Sequence, residues 1–208
     1  LSSITNGIQT FLKKSAAYKK AYSGNIFWPL MLPLRQLQLR QIAKRAALFL
    51  ESGLILDIGT GYGYLCVEMA RLRPKAHIIG VDIQLELLSD GIKYAVQKGR
   101  SDQVAFLRAN AEFLPFADNT FDMVLSTMSL HLWRDKQQGI VEIQRVLKPG
   151  GQTHILVGSY FLVRGLARIT DQFTKKSTNI LVNLLATAAF REFKVDYRDS
   201  ILAIVATK

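Results

Sequence analysis

Three glycines at alternate positions, Gly59, Gly61 and Gly63, follow an apolar run in the stretch LILDIGTGYGYLCVEMA, residues 54–70. A loop so poor in side chains lets a ligand lie directly on backbone. A dinucleotide fingerprint, G-x-G-x-x-G, brings amide groups against a pyrophosphate. Counted from Gly59, the last glycine of that pattern falls on Tyr64, and the spacing here is G-x-G-x-G. Asp57, two residues before the first glycine, would repel a pyrophosphate and attract a cation. The ligand that fits is a nucleoside carrying positive charge. Further along, His131 in STMSLHLW (126–133) is the candidate general base. A hydrogen-bonded structural histidine between Leu130 and Leu132 is the competing reading.

The elements that must position these residues alternate. Apolar strand segments are expected at 54–58, 77–82, 104–108, 121–126 and 153–158, with helices between them at about 63–73, 84–98 and 135–147. Such alternation implies βαβ units and a parallel sheet covered on both faces. The tail breaks the pattern: a helix at 177–190, then two strands over 191–208 around a short turn at Tyr197–Ser200. A turn that tight joins only antiparallel strands. The fold expected is α/β, a Rossmann-like doubly wound sheet of seven strands, mostly parallel, ending in an antiparallel hairpin, with helices on both faces. Ligands then sit beyond the carboxyl ends of the strands at the switch point, which is where the loop after the first strand falls. Ahead of the sheet, helices are expected at 8–22 and 34–50, the second closed by Gly53. Between them SGNIFWPLMLP (23–33) reads as a turn region punctuated by glycine and proline.

With this frame the chain resembles the class I S-adenosylmethionine-dependent methyltransferases, over roughly residues 35–158 and more loosely over the last 30. Four further segments carry the likeness in the same order as in that family: GVDI (80–83), RANAEFLPFADNTFDMV (108–124), LSTMSLHLW (125–133) and RVLKPGG (145–151). The resemblance implies S-adenosyl-L-methionine as cofactor and S-adenosyl-L-homocysteine as product. Gly59, Thr60, Gly61 and Gly63 would then give room to the methionine part, and Asp57 would hold its ammonium directly or through water. Asp82 would grip both ribose hydroxyls, with Ile83 packing on the adenine. Asn110, Ala111 and Glu112 would border the adenine edge, and Ser126 would line the site after the fourth strand. Position 110 is commonly Asp in this family; the amide of Asn110 can still accept from the adenine amino group and can also donate. No metal is implied.

Other residues have plainer readings. Cys66 is expected in the core, Glu68 on a solvated helix face, Asp135 as a helix cap, and Gly150 and Gly151 in a turn. His77 and His154 are read as structural. Met128, Trp133, Phe27 and Trp28 could line an apolar acceptor wall or belong to the core. The chemistry implied is in-line displacement at a methyl carbon, for which placing the acceptor matters most. Proximity and orientation can supply roughly 7–11 kcal/mol. A base within hydrogen-bond reach helps only if the acceptor is a hydroxyl or an acidic C–H.

Absent motifs narrow the acceptor. No [DN]-P-P-[YFW] follows the fourth strand, against adenine amino-methylation in DNA, and no Pro-Cys exists for a covalent route to cytosine C5. The single cysteine is too few for an arsenite methyltransferase. Small molecules remain, such as quinone precursors, sterols and other natural products, for which this subgroup of the family is known.

The 208 residues, 49% hydrophobic and 21% charged, suit one globular domain. It divides into a basic flank and lid (1–33), a cofactor-binding core (34–158), a lid insertion (159–176) and the last helix and hairpin (177–208). In both lids apolar residues alternate with Lys and Arg, suiting a lipophilic or anionic acceptor. The net charge of +11 sits in the flanks: +7 in residues 1–53, zero in 54–151 and +4 in 152–208. A basic flank can meet RNA or an anionic membrane surface, or simply keep the protein soluble. RNA methylation, with Tyr18, Tyr22, Phe27 and Trp28 for stacking, is therefore a rival reading. A non-catalytic cofactor-binding protein is another, and a nicotinamide dehydrogenase a distant one. No apolar run spans a membrane, no secretory signal is read, and one cysteine excludes an internal disulfide, so the expected compartment is the cytoplasm.

Overall fold

The computed structural model describes residues 27–159, 178–198 and 201–208. The expected helix at 8–22, the aromatic residues Tyr18 and Tyr22 and nearly all of the lid at 159–176 lie outside the described residues. Two units divide the chain, Leu1–Leu39 and Arg40–Lys208. Helix α1 (Phe27–Ala47) runs across the division, and every other described element belongs to the second unit.

Helix α1 corrects the reading of 23–33 as a turn region ending only at Leu34. Its third residue is Pro29, in a first turn whose N–H groups have no intrahelical acceptor in any case. Pro33 lies further in and forfeits one backbone bond without ending the helix. Nor does Gly53 close it. The last turn tightens through Leu48 N–H to Arg45 C=O and Phe49 N–H to Ala46 C=O, each 3.1 Å. Arg73 then donates through Nε to the carbonyls of Ala47 and Leu50, both at 2.8 Å. Gly53 belongs to the first strand, where its φ is 130° and a Cβ would lie 2.6 Å from the Asp122 carboxylate.

The remaining elements are β1 (Ser52–Ile58), α2 (Tyr64–Leu72), β2 (Lys75–Asp82), α3 (Leu85–Gln97), β3 (Val104–Arg108), β4 (Phe121–Thr127), α4 (Lys136–Val146), β5 (Leu147–Ser159), a helix α5 over 178–187, β6 (Arg191–Arg198) and β7 (Ile201–Thr207). The seven strands form one sheet in the order β3-β2-β1-β4-β5-β7-β6. Pairs among β1 to β5 are parallel, whereas β7 runs antiparallel to both β5 and β6. The expected fold is the observed one. Because β1 lies between β2 and β4, the strand order reverses there, and the crevice at the carboxyl ends of β1 and β4 is the switch point.

Strand alternation divides the core between the two faces of the sheet. Leu56, Ile58, Val124, Ile155 and Ile204 pack with Ile140, Ile143 and Leu185, from α4 and α5. The opposite phase of β1, Ile55 and Asp57, points to the side of α2, whose Cys66 meets Asp57. The Lys148–Gly151 turn is absorbed into β5 as a bulge: pairing jumps from Phe121↔Leu147 to Met123↔Gln152. Gly150, at φ 75°, donates to the Lys208 carbonyl at 3.1 Å, and Lys208 N–H returns to Gly151 at 3.0 Å.

Candidate functional site at the switch point

The glycine loop is a tight turn anchored on β2. The N–H groups of Gly59 and Thr60 both donate to the Val81 carbonyl, at 2.8 and 3.0 Å, and Gly63 N–H donates to Thr60 at 3.1 Å. All three glycines have positive φ, between 57° and 73°. A Cβ at Gly59 would fall 2.3 Å from Ser129 Cβ, and one at Gly63 2.3 Å from the Phe106 ring. These two glycines serve packing. A Cβ at Gly61 would meet nothing within 4 Å. The loop is therefore open at its middle residue, as a ligand cradle requires.

Two carboxylates flank that opening. Asp57, 1% exposed, is the penultimate residue of β1, on the face of α2. Burial pushes its carboxyl up to about 6; the neighbouring Thr60 hydroxyl and Cys66 thiol oppose that rise, and the charge of Asp82 adds to it. The Cys66 thiol stands 3.5 Å from Asp57 Oδ2 and 3.2 Å from Thr60 Oγ1, while Asp57 Oδ1 is buried with no partner among the described residues. A buried carboxylate oxygen without a donor is costly unless a ligand supplies one. Asp82 ends β2. Its Oδ2 accepts from Gly61 N–H and its Oδ1 from Gln84 N–H, each at 3.0 Å. It thus holds the cradle and the entry to α3 together, and burial raises its pKa. Each of its oxygens keeps acceptor capacity for a hydroxyl.

Next to Asp82 in the chain, Ile83 is 38% exposed. Asn110 Oδ1 accepts from Glu112 N–H at 3.1 Å, closing a side-chain turn. Ala111 is buried beside it. Glu112 stands apart from the others. Its Oε1 accepts from the N–H groups of Arg134 and Asp135, at 2.7 and 3.0 Å, so its carboxylate fastens the chain ahead of α4.

The segment after β4 carries the other candidates. Ser126 is fully buried, 2.8 Å from Ser129 Oγ, and Ser129 Oγ donates to the Ile58 carbonyl at 2.9 Å. Met128 follows with φ 55°, a left-handed conformation that costs a non-glycine residue about 1–3 kcal/mol. Its N–H is tied to the Leu156 carbonyl at 3.1 Å, and its side chain is 41% exposed. A short 3-10 turn, Leu130–Leu132, then presents His131 on the exposed side. Partial burial, with the charge of Lys136, lowers the His131 pKa and keeps the ring neutral near pH 7. Trp133 is core, its ring filling the place a Cβ of Gly139 would take.

Some plainer expectations hold. Asp135 caps α4, accepting from Gln138 N–H at 3.0 Å. Cys66 is buried, and burial pushes its thiol up, so it stays protonated. His154 is buried with its ring 5.1 Å from that of Phe49. Glu68 differs: its side chain is largely covered and paired with Arg71 at 2.7 Å. The sequence reading missed Ser129 and Phe106. Ser129 offered no signal, being one hydroxyl among several. Phe106, one of the alternating residues of β3, fills the space left by Gly63, Gly80 and Gly91. Among the described residues no cluster of His, Cys, Asp and Glu could hold a metal ion.

Residues 51–196 match the methyltransferase domain family. The chain is 40% identical over 103 residues to the ubiquinone/menaquinone biosynthesis C-methyltransferase of Hahella chejuensis, covering 49% of this chain and 41% of that protein. It spans about half the length of the curated relatives it matches. A solved protein of Methanococcus maripaludis has the same fold, with a TM-score of 0.71 at 22% identity over 94% of this chain and 93% of that one. A [4+2]-cyclase, SpnF, shares the fold as well, with a TM-score of 0.62 at 19% identity over 81% of this chain and 80% of that one. The fold alone does not fix the reaction.

Proposed function

The chain belongs to the methyltransferase domain family, of the class I S-adenosylmethionine-dependent type, and from that premise we propose that it methylates a small lipophilic acceptor at the mouth of the switch point. The observation that carries this reading is the pairing of Asp57 and Asp82 across an open glycine loop. Asp57 Oδ1 lacks a donor, and Gly61 leaves the middle of the loop clear. A cationic amino acid end and a ribose are what such a pair suits. When bound, S-adenosylmethionine supplies a methyl carbon activated by the adjacent sulfonium.

This chain's residues would do the rest. Asp57 binds the ammonium and becomes fully ionised as it does so. Asp82 accepts from the ribose hydroxyls while keeping Gly61 in place. Ile83, Ala111 and the backbone at 110–112 border the base, with Asn110 fixing that backbone. The acceptor side is the Met128–Leu132 turn, where Met128 and Leu132 are 41% and 52% exposed. Apolar groups at that position favour a lipophilic acceptor and exclude water around it. His131, neutral and exposed, would take a proton from an acidic O–H or C–H of the acceptor. Two curated relatives are named ubiquinone/menaquinone biosynthesis C-methyltransferases, which supports a carbon nucleophile in the acceptor.

The test is a mass-spectrometric screen of purified protein with S-adenosylmethionine and a panel of quinols, phenols and RNA. A gain of one methyl on a quinol or phenol, with S-adenosylhomocysteine formed in equal amount, is expected. Transfer to RNA alone would overturn the acceptor class. Cofactor binding without transfer to any acceptor would overturn the enzymatic reading.

A further inference from the structure

Two halves of the site meet at one side chain. Ser129 belongs to the acceptor-side turn, yet its Oγ donates to the Ile58 carbonyl, the last residue of β1 before the glycine loop, at 2.9 Å. Its Cβ occupies the space that a side chain at Gly59 would need, 2.3 Å from that ideal Cβ position. Each serine has one hydroxyl proton, and that of Ser129 is committed to Ile58. Ser126, 2.8 Å away, must therefore be the donor to Ser129 Oγ. The result is a directed chain, Ser126 O–H to Ser129 O–H to Ile58 C=O, in which both serines are buried, 0% and 6% exposed. Beyond it the turn has little slack. Met128 is held in the left-handed region with its N–H on Leu156, and Leu132 N–H closes on the Ser129 carbonyl at 2.8 Å.

We propose that Ser129 is a positioning residue that passes occupancy of the glycine loop to the acceptor-side turn, so that a bound cofactor firms the Met128–Leu132 segment before the acceptor docks. The idea rests on the methyl-transfer reading and adds to it a route between the two subsites. The physical basis is direct contact. Gly59 cannot shift toward the turn without meeting Ser129 Cβ, and Ile58 cannot shift without pulling on Ser129 Oγ. A ligand that fixes the loop therefore fixes the turn's anchor. Local opening of the turn requires that anchor to move, so a ligand that holds the anchor suppresses the opening.

Hydrogen–deuterium exchange with S-adenosylhomocysteine as the probe tests this without an acceptor. In the wild-type protein, amides 128–133 should exchange about tenfold more slowly when the loop is filled. In Ser129→Ala the bound-minus-free difference at 128–133 should vanish, while protection of the glycine loop itself remains. A merely structural serine would raise exchange in free and bound protein alike and leave the difference intact. That result overturns the proposal, as does wild-type protein that binds the probe without protection at 128–133. If Ser129→Ala does not fold, Ser126→Ala takes its place, since it removes the donor that orients Ser129. At least half the difference should then be lost, and an unchanged difference overturns the proposal. Failure of the wild type to bind the probe in calorimetry would sink the methyl-transfer reading itself and this route with it, an outcome distinct from binding without protection.

Discussion

Burial disfavours the ionised form of Asp57, and a bound cation would offset that cost. A carboxyl moved from 3.8 to about 6 disfavours the ionised form by roughly 3 kcal/mol. The sign follows from proton counting. Between pH 4 and pH 6 the folded state holds a proton that the unfolded state has released, so this group lowers stability as pH rises through that window. An ammonium placed on Asp57 reverses the preference, and binding then releases the proton. Cofactor affinity should therefore fall as pH drops from 7 to 5, following a group near 6. Asp57→Asn should weaken binding about 10- to 100-fold, or roughly 1.4–2.7 kcal/mol, and flatten that pH dependence. Calorimetric titration across pH checks both. The glycines make a second contrast. Gly61→Ala places a methyl in open space, so the left-handed backbone alone opposes it in folding, and it should cost binding more than folding. Gly63→Ala carries the same backbone cost and also drives a methyl into Phe106, so it should lower Tm by several degrees more, as about 2 kcal/mol of added strain would. Equal effects of the two changes on Tm would contradict the division of roles.

At the scale of elements, Glu112 is the instructive case. From the sequence it belonged to the adenine border, because the residues around it do. In the structure its Oε1 accepts from two backbone N–H groups ahead of α4. Glu112→Ala should thus destabilise the fold by about 1–3 kcal/mol in denaturant melts while the folded protein still binds cofactor. Loss of binding at unchanged stability would restore the earlier role. The alternation of strands and helices, the hairpin and the Asp135 cap were legible because each rests on local pattern: apolar periodicity, turn length, a capping side chain. The start of α1 was not, since proline in a first helical turn looks the same in sequence as proline in a loop. Nor was Gly53, whose glycine requirement comes from Asp122, 69 residues away in sequence. Ser129 escaped for the same reason: its partner Ile58 is brought near only by the pairing of β1 with β4.

For the whole molecule, the sheet order places both acids, the open loop and the Met128–Leu132 turn at one end of β1, β2 and β4, which explains how distant motifs converge. The middle of the chain is neutral in charge and the basic excess lies in the flanks, so methyl transfer to a neutral lipophilic acceptor should depend little on salt. RNA as acceptor would make binding fall steeply with salt concentration. No described helix is long and apolar enough to cross a membrane. The central claim is that Asp57 and Asp82 jointly hold S-adenosylmethionine at the first βα corner. Isothermal titration of that compound into the wild-type protein, Asp57→Asn and Asp82→Asn tests it most directly. One site per chain is expected, with a dissociation constant on the order of 1 μM to 1 mM and each variant weakened at least about tenfold. No binding by the wild type, or equal affinity in all three proteins, would contradict it.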